Sequence, residues 1–291
     1  MGRLRQVASF WWGTKTMIWT CTAAEYHADD SAIGSSMVRC FIDSPARYNA
    51  LYVAHSDPKP EPTPDMVLGT WVHCLVLEPD EWPNRYLIQG EKFDRRTKAG
   101  KDGWESLLKA AAGREIIEYD DLKKFRLAQN MATAVRNSSL AMNYLGDYGE
   151  RELSLRWQDK RSGLTLKVRL DNLEGNWIAD LKTAADPSPK GFARAVVNHG
   201  YDIQAALYLE AVNLWEPGHQ HDFFFIVVGK TPPHDVWVHQ MPPHWIESGR
   251  RRLHEALGRI QIASETGVWL APGQDKVSFL EPPRYAELEE V

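Results

Sequence analysis

The chain has 291 residues, 43% of them hydrophobic and 25% charged, and a formal net charge of −5. Those proportions exclude a chain that is disordered throughout, and three cysteines with no Cys-x-x-Cys pair (Cys21, Cys40, Cys74) exclude a disulfide framework or a thiolate-ligated zinc or iron–sulfur site. The longest uncharged apolar run, Met66–Leu77, is too short to span a bilayer, and the acidic balance is not that of a simple DNA-binding module.

Arg3 and Arg5 ahead of Val7–Trp12 faintly resemble a secretory leader, but Gly13 and Lys15 interrupt the run and no small-residue cleavage site follows. Met17 reads as a natural start. Residues 1–25 are therefore set apart as an N-terminal extension, 26–270 as one domain and 271–291 as a C-terminal tail, in a reducing, cytoplasmic setting.

In chain order, Ser35 reads as the N-cap of a helix to about Ile42, and Pro45 opens a second one towards Val53. The proline-rich stretch Asp57–Pro64 is an extended loop, and Met66–Leu77 a buried helix closed by Glu78-Pro79. Asp102–Ala112 and Asp120–Tyr144 read as helices, the first stopped by Gly113. The pattern then switches to alternation. Glu152–Gln158, Leu164–Leu173 and Trp177–Thr183 read as strands, with a turn at Glu174-Gly175-Asn176. Helices at Pro189–Asn198 and Asp202–Trp215, strands at Phe223–Val228 and Val236–Gln240, and a long helix Pro243–Glu265 complete the order. The expected fold is an α/β core, a central mixed sheet flanked by helices, behind a helical N-terminal part.

The chemistry concentrates between Leu170 and Tyr208. Asp171 falls near the end of one strand. Asp180 and Lys182, two residues apart on the next, leave the same face, while Leu181 points into the core. Two carboxylates brought together by a short hairpin repel each other, and a divalent cation relieves that repulsion; oxygen ligands suit Mg²⁺ or Mn²⁺. A lysine beside such a site can orient a water or offset charge on a phosphorane-like transition state. Gln204 and Tyr208 share one helix face. Asp-x-Lys occurs three times, but only Asp180-Leu-Lys182 follows a strand, a carboxylate and a turn; Asp57-Pro-Lys59 lies in the proline loop and Asp121-Leu-Lys123 at a helix start. The competing account of Asp180 and Lys182 is a surface salt bridge on an edge strand.

Other groups carry less. Lys92–Lys101 holds five basic residues (Lys92, Arg95, Arg96, Lys98, Lys101) against Asp94, read either as a solvated loop or as a phosphate-contacting patch, with Trp104 beside it able to stack on a base. Glu152 could reach a metal, though a solvated strand residue is the plainer account. His219-x-His221, His234, His239 and His244 lack standard zinc spacing. No phosphate-binding Gly-x-x-x-x-Gly-Lys-Ser/Thr and no Gly-x-Ser-x-Gly occurs.

The ordered set Asp171, Asp180-Leu181-Lys182 and Gln204-x-x-x-Tyr208 resembles the PD-(D/E)xK nuclease superfamily, with its restriction-endonuclease-like core. Together with Tyr26-His27-Ala28-Asp29, Ser44-Pro45-Ala46-Arg47-Tyr48, Gly69–Pro79, Arg95–Gly100 and Gly200–Gln204, it resembles RecE-type phage and prophage exonucleases over about residues 26–216. Leu170 stands where the superfamily name expects proline. The resemblance implies a metal held by His73, Asp171, Asp180 and the Leu181 carbonyl, Lys182 as the catalytic lysine, Gln204 and Tyr208 as accessory residues, and DNA contacts from Arg95, Arg96, Lys98 and Lys101. It implies a Mg²⁺-dependent exodeoxyribonuclease, with Mn²⁺ able to substitute, that resects double-stranded DNA 5′ to 3′. A ring-shaped homo-oligomer, a single-strand annealing partner and a role in phage-type recombination inside a bacterial host come with it. The alternatives are a structure-selective endonuclease on the same fold and a non-catalytic DNA-binding accessory protein.

Overall fold

A computed structural model describes residues 17–146, 149–270, 273, 277 and 279–281. The expectations for residues 1–16 and for most of the tail fall outside these residues.

The described chain starts with strand β1 (Met17–Ile18) and helix α1 (Ala23–Ala28), where Thr22 and Glu25 form a reciprocal capping box. The structured domain thus begins before residue 26. Helix α2 (Ser35–Asp43) follows. Its cap is Gly34, which offers no side-chain acceptor, so Ser35 is the first helical residue and not the cap. Ser44 instead caps α3 (Pro45–Tyr48), which loosens into a π-turn over Asn49–Val53. Thr63 accepts from the Met66 amide and Pro64 occupies the first turn of α4 (Pro64–Leu77), a helix apolar on most of its surface and buried accordingly.

Short α5 (Trp82–Arg85) leads into β2 (Tyr86–Ile88), then α6 (Lys98–Ala111), capped by Thr97, and β3 (Glu115–Ile117). Strands β2 and β3 pair in parallel as a separate two-stranded sheet. The segment expected as one helix from Asp120 is two, α7 (Leu122–Asn137) and α8 (Ser139–Tyr144). Ser138 ends the first and caps the second by accepting from the Ala141 amide.

Strands β4 (Glu150–Gln158), β5 (Thr165–Glu174) and β6 (Trp177–Ala184) form an antiparallel meander. Helices α9 (Pro189–His199) and α10 (Tyr201–Trp215) then carry the chain back to β7 (Asp222–Gly229), parallel to β6, and β8 (Val236–Gln240) pairs antiparallel beyond it. The hinge between α9 and α10 is Gly200 alone, at φ +65°, a conformation that ends one helix and starts the next and that a side chain would strain. Helix α11 (Pro243–Thr266) packs on α10.

The main sheet runs β1-β4-β5-β6-β7-β8, mixed and covered on both faces, as expected of this α/β class. One face is sealed by α2, α9, α10 and α11 around Phe41, Leu170, Ile178, Ile203 and Phe225. The other is sealed by α4, α7 and α8 around Trp71, Met131, Leu181 and Ile226. Among the described residues no helix is long and apolar enough to cross a membrane.

Candidate functional site

The site exists because β5 and β6 part company. Their ladder runs only from Glu174↔Trp177 to Asn172↔Ala179. The next step would set Asp171 opposite Asp180. There the strands splay, and the Leu181 amide donates to Asp171 Oδ2 at 2.7 Å in place of a backbone carbonyl. Strand β6 meanwhile keeps its full parallel ladder with β7, from Trp177↔Asp222 to Ala184↔Gly229, so Asp180 and Lys182 are held on a rigid central strand. On the other side of Asp171, β4 is kinked at Glu152, whose φ of +53° interrupts the pairing between Arg151↔Asn172 and Leu153↔Leu170. Three carboxylates therefore come from three neighbouring strands at one fork.

Asp180 is only 1% exposed, which removes the surface salt bridge as an account of it. Its Oδ1 accepts from Gln204 Nε2 on α10 at 2.5 Å. Its Oδ2 has no directional hydrogen bond and lies 2.5 Å from Lys182 Nζ. Burial pulls the Lys182 ammonium down, but Asp180, by charge and by that close contact, together with Tyr201 and Asp171, more than offsets it and holds the lysine charged well above its ordinary range. Tyr208, four residues after Gln204, is buried beside it. Burial, with Tyr26, Asp180 and Asp171 nearby, raises its hydroxyl pKa well above normal, so it stays neutral.

From the opposite layer α4 presents His73. Its Nε2 donates to the Leu181 carbonyl at 2.6 Å, and Nδ1 lies 3.5 Å from Asp171 Oδ2. One donor atom each from His73, Glu152 and Asp171 falls within 4.8 Å of the others. That set of hard oxygens and one imidazole nitrogen fits a divalent cation of the Mg²⁺ or Mn²⁺ type. The fit is supported by Asp171, whose pKa is pushed up to about 7 by burial and then by the neighbouring Asp180 charge, partly offset by His73 and Lys182. A cation would relieve both the desolvation and the repulsion.

The sequence-predicted groups Asp171, Asp180, Leu181, Lys182, His73, Gln204 and Tyr208 thus converge, with two differences in detail. The Leu181 carbonyl is engaged by His73, and Asp180 stands outside the three-donor cluster, turned to Gln204 and Lys182. Glu152, read as a solvated strand residue, is instead an inward-facing member, 15% exposed at its side chain and paired with Arg169, which also donates to Ser154 Oγ and the Cys21 carbonyl. Its alternation signal was present, but the left-handed backbone at this residue is invisible in a strand pattern.

The basic cluster lies apart, in the β2–α6 loop and the start of α6. It is largely self-neutralised: Lys92 pairs with Asp120, Arg95 with Glu118 and Arg96 with Asp94. Trp104 is covered by the Arg95 guanidinium, 3.5 Å from its ring centroid. Lys98 and Lys101 are exposed and carry no ion pair among the described residues.

Residues 34–274 match the model of a family described as a PDDEXK-like domain of unknown function. The chain belongs to this PDDEXK-like family. It thereby falls in the PD-(D/E)xK nuclease superfamily. No curated protein matches it. A crystal structure from Eubacterium rectale, named "putative exonuclease", is similar in fold, with a TM-score of 0.60 and 15% identity over 91% of this chain and 96% of that one. Within this PDDEXK-like chain Asp171 and Asp180 are buried, and Lys182, 18% exposed at its side chain, pairs with Asp180.

Two predictions arise here. Divalent-ion binding requires Asp171 ionised, so affinity rises with pH up to about 7 and binding releases close to one proton below it. Because the folded pKa lies above the unfolded one, the Asp171 carboxyl contributes to the ion-free protein a stability that is fully present below the ordinary carboxylate range. That stability is lost as pH rises through about 7. Thermal melts across pH, with and without Mg²⁺, read both effects, and Asp171→Asn should flatten them. Glu152→Gln should weaken ion binding by about 10-fold or more with the fold retained, measured by calorimetric titration.

Proposed function

We propose that the protein is a divalent-metal-dependent exodeoxyribonuclease that hydrolyses phosphodiester bonds from the ends of double-stranded DNA. The observation that carries the reading is the Asp171–Asp180–Lys182 unit in the β5–β6 fork, with both carboxylates buried, adjoined by His73 and Glu152. A bound divalent ion supplies Lewis-acid stabilisation of charge developing on the phosphoryl oxygens. The chain's own groups do the rest. Asp171, Glu152 and His73 hold the ion. Gln204 fixes the Asp180 carboxylate. Lys182, held charged, stabilises the anionic transition state and can donate a proton to the departing oxygen.

The preference for ends, 5′ to 3′ polarity, a ring assembly, a single-strand annealing partner and phage-type recombination belong to the same proposal and rest on the motif resemblance. The decisive experiment is a time course on linear duplex labelled at the 5′ or the 3′ end, with Mg²⁺ and with EDTA, beside closed circular DNA. Early loss of the 5′ label as mononucleotides, with the circle intact, is the expected result. Nicking of the circle would replace the reading with an endonuclease, and binding without nucleotide release would replace it with an accessory protein.

The basic cluster is proposed as a secondary DNA contact. Because Arg95 and Arg96 are already paired, Lys98→Ala with Lys101→Ala should reduce the salt dependence of duplex binding more than Arg95→Ala with Arg96→Ala, by a slope of about 1 to 2 in log–log form. Anisotropy titrations across salt concentrations measure it.

A further inference from the structure

Arg169 stands two residues before Asp171 on β5, so the two side chains leave the same face of the strand. Its register partner on β4 is Ser154, two residues beyond Glu152. The guanidinium makes three hydrogen bonds there. Nε donates to Glu152 Oε2 at 2.5 Å, and Nη1 donates to Ser154 Oγ at 3.0 Å and to the Cys21 carbonyl at 3.2 Å. The side chain is only 10% exposed. Its two other acceptors are themselves fixed. Ser154 is buried in the sheet, and Cys21 belongs to the segment that follows β1 along β4, where the Trp19 amide donates to the Ser154 carbonyl at 2.9 Å. A planar fork seated in this way has little freedom left, and it ends on a carboxylate of the candidate ion site.

Glu152 needs such an anchor. Its φ of +53° takes it out of strand geometry at the point where the β4–β5 ladder is interrupted, so regular pairing does not fix the direction of its side chain. Among the described residues the bond from Arg169 is the one hydrogen bond that the Glu152 carboxylate accepts. Two effects of the arginine on a bound cation oppose each other. Its charge repels the ion. Its hydrogen bond engages one carboxylate oxygen, leaves the other for the ion, and holds the group within reach of His73 and Asp171, whose donor atoms lie within 4.8 Å of its own. Orientation decides the sign, because partners that hold a ligand from behind carry about 10- to 100-fold in metal affinity.

We propose that Arg169 is a positioning residue of the ion site: it acts through Glu152, holding that carboxylate where it can share a divalent cation with His73 and Asp171. The proposal rests on the metal-dependent reading of the site and adds to it the residue that sets the direction of one ligand. Arg169 does not itself touch the ion, and its contribution ends when the Glu152 carboxylate is removed.

The test is calorimetric titration of the full chain with Mn²⁺ alone, without DNA, beside melting curves in EDTA. Arg169→Gln should weaken Mn²⁺ binding about 10-fold, and by no more than Glu152→Gln does. The double variant separates positioning from a merely structural role. Arg169→Gln added to Glu152→Gln should cost no further affinity, because nothing is left to position, whereas two independent losses would multiply. If Arg169→Gln does not fold, Arg169→Lys carries the same comparison: it keeps the charge and gives up the fork, and its loss should be smaller and again absent when Glu152→Gln is present. Unchanged or tighter Mn²⁺ binding by the folded single variant overturns the proposal, and so does a double variant whose losses multiply. Wild type that binds no Mn²⁺ removes the ion-site reading itself, whereas wild type that binds it, with Arg169→Gln equal to it, removes only the positioning role.

Discussion

Asp180→Asn should lower nucleotide release from linear duplex by about 10³-fold or more while the protein remains folded. Asp180 is the carboxylate to which the rest of the fork is organised: Gln204 donates to one oxygen and the Lys182 ammonium faces the other. Asparagine preserves its volume on β6. It can still accept from Gln204, but its amide then meets the ammonium, and turning it over sets two amide donors against each other. Either arrangement leaves a mismatched pair and removes the lysine's counter-charge, at a cost of about 3–5 kcal/mol, while the side-chain volume is kept. Asp180→Ala is the worse probe. It removes the same counter-charge and also leaves a cavity and the Gln204 amide without its acceptor, so lost activity and lost fold would be confounded. The measurement is therefore single-turnover release by the asparagine variant beside its melting curve. Retention of more than about a tenth of wild-type rate, with an intact fold, would remove Asp180 from the chemistry and with it the proposed site.

Much of this site was legible because strands alternate. Leu164–Leu173 and Trp177–Thr183 placed Asp171 near a turn and set Asp180 and Lys182 on one face, and the structure sets both on a central strand with Asp180 buried and Lys182 partly so. The helices that supply His73 and Gln204 were equally visible, since α4 and α10 are long apolar runs. What sequence pattern could not supply was departure from regularity. The ladder between β5 and β6 fails after Asn172↔Ala179 because a side chain replaces a backbone acceptor, and no periodicity encodes that substitution. Glu152 sits opposite Asp171 at one residue of left-handed backbone that breaks the pairing. The start of α6 was placed too late, at Asp102, whereas the helix begins at Lys98. Gly100 lies inside the helix, and glycine is required there because the Asp94 carbonyl would sit 2.0 Å from a Cβ. Strands β1, β2 and β3, two or three residues each, are below the length at which alternation can be seen at all. Charge counting misled in its own way. Five basic residues in ten looked like a free cationic patch until folding brought Glu118 and Asp120 alongside Asp94.

Lys182→Met should cut turnover by about 10²–10³-fold and leave divalent-ion affinity unchanged or slightly tighter. The two readouts move apart for one reason. The ammonium is a fixed positive charge beside the carboxylates that hold the ion, so it opposes the ion's charge in the ground state and favours the phosphoryl anion in the transition state. Methionine keeps the aliphatic stem against the Tyr201 and Phe225 rings, so packing is largely retained, and it leaves Asp180 with its Gln204 bond. The protonation state fixes the role. Asp180, with Tyr201 and Asp171, holds Lys182 charged above its ordinary range despite burial, so it serves as a cation and proton donor and not as the base that deprotonates water. Wild-type turnover at saturating Mg²⁺ should accordingly show no rising limb from lysine ionisation between neutral pH and pH 10. Such a limb, absent in Lys182→Met, would show that the lysine works in its neutral form. A parallel loss of ion affinity and turnover in Lys182→Met would instead show that the lysine organises the ion site and takes no direct part in the transition state.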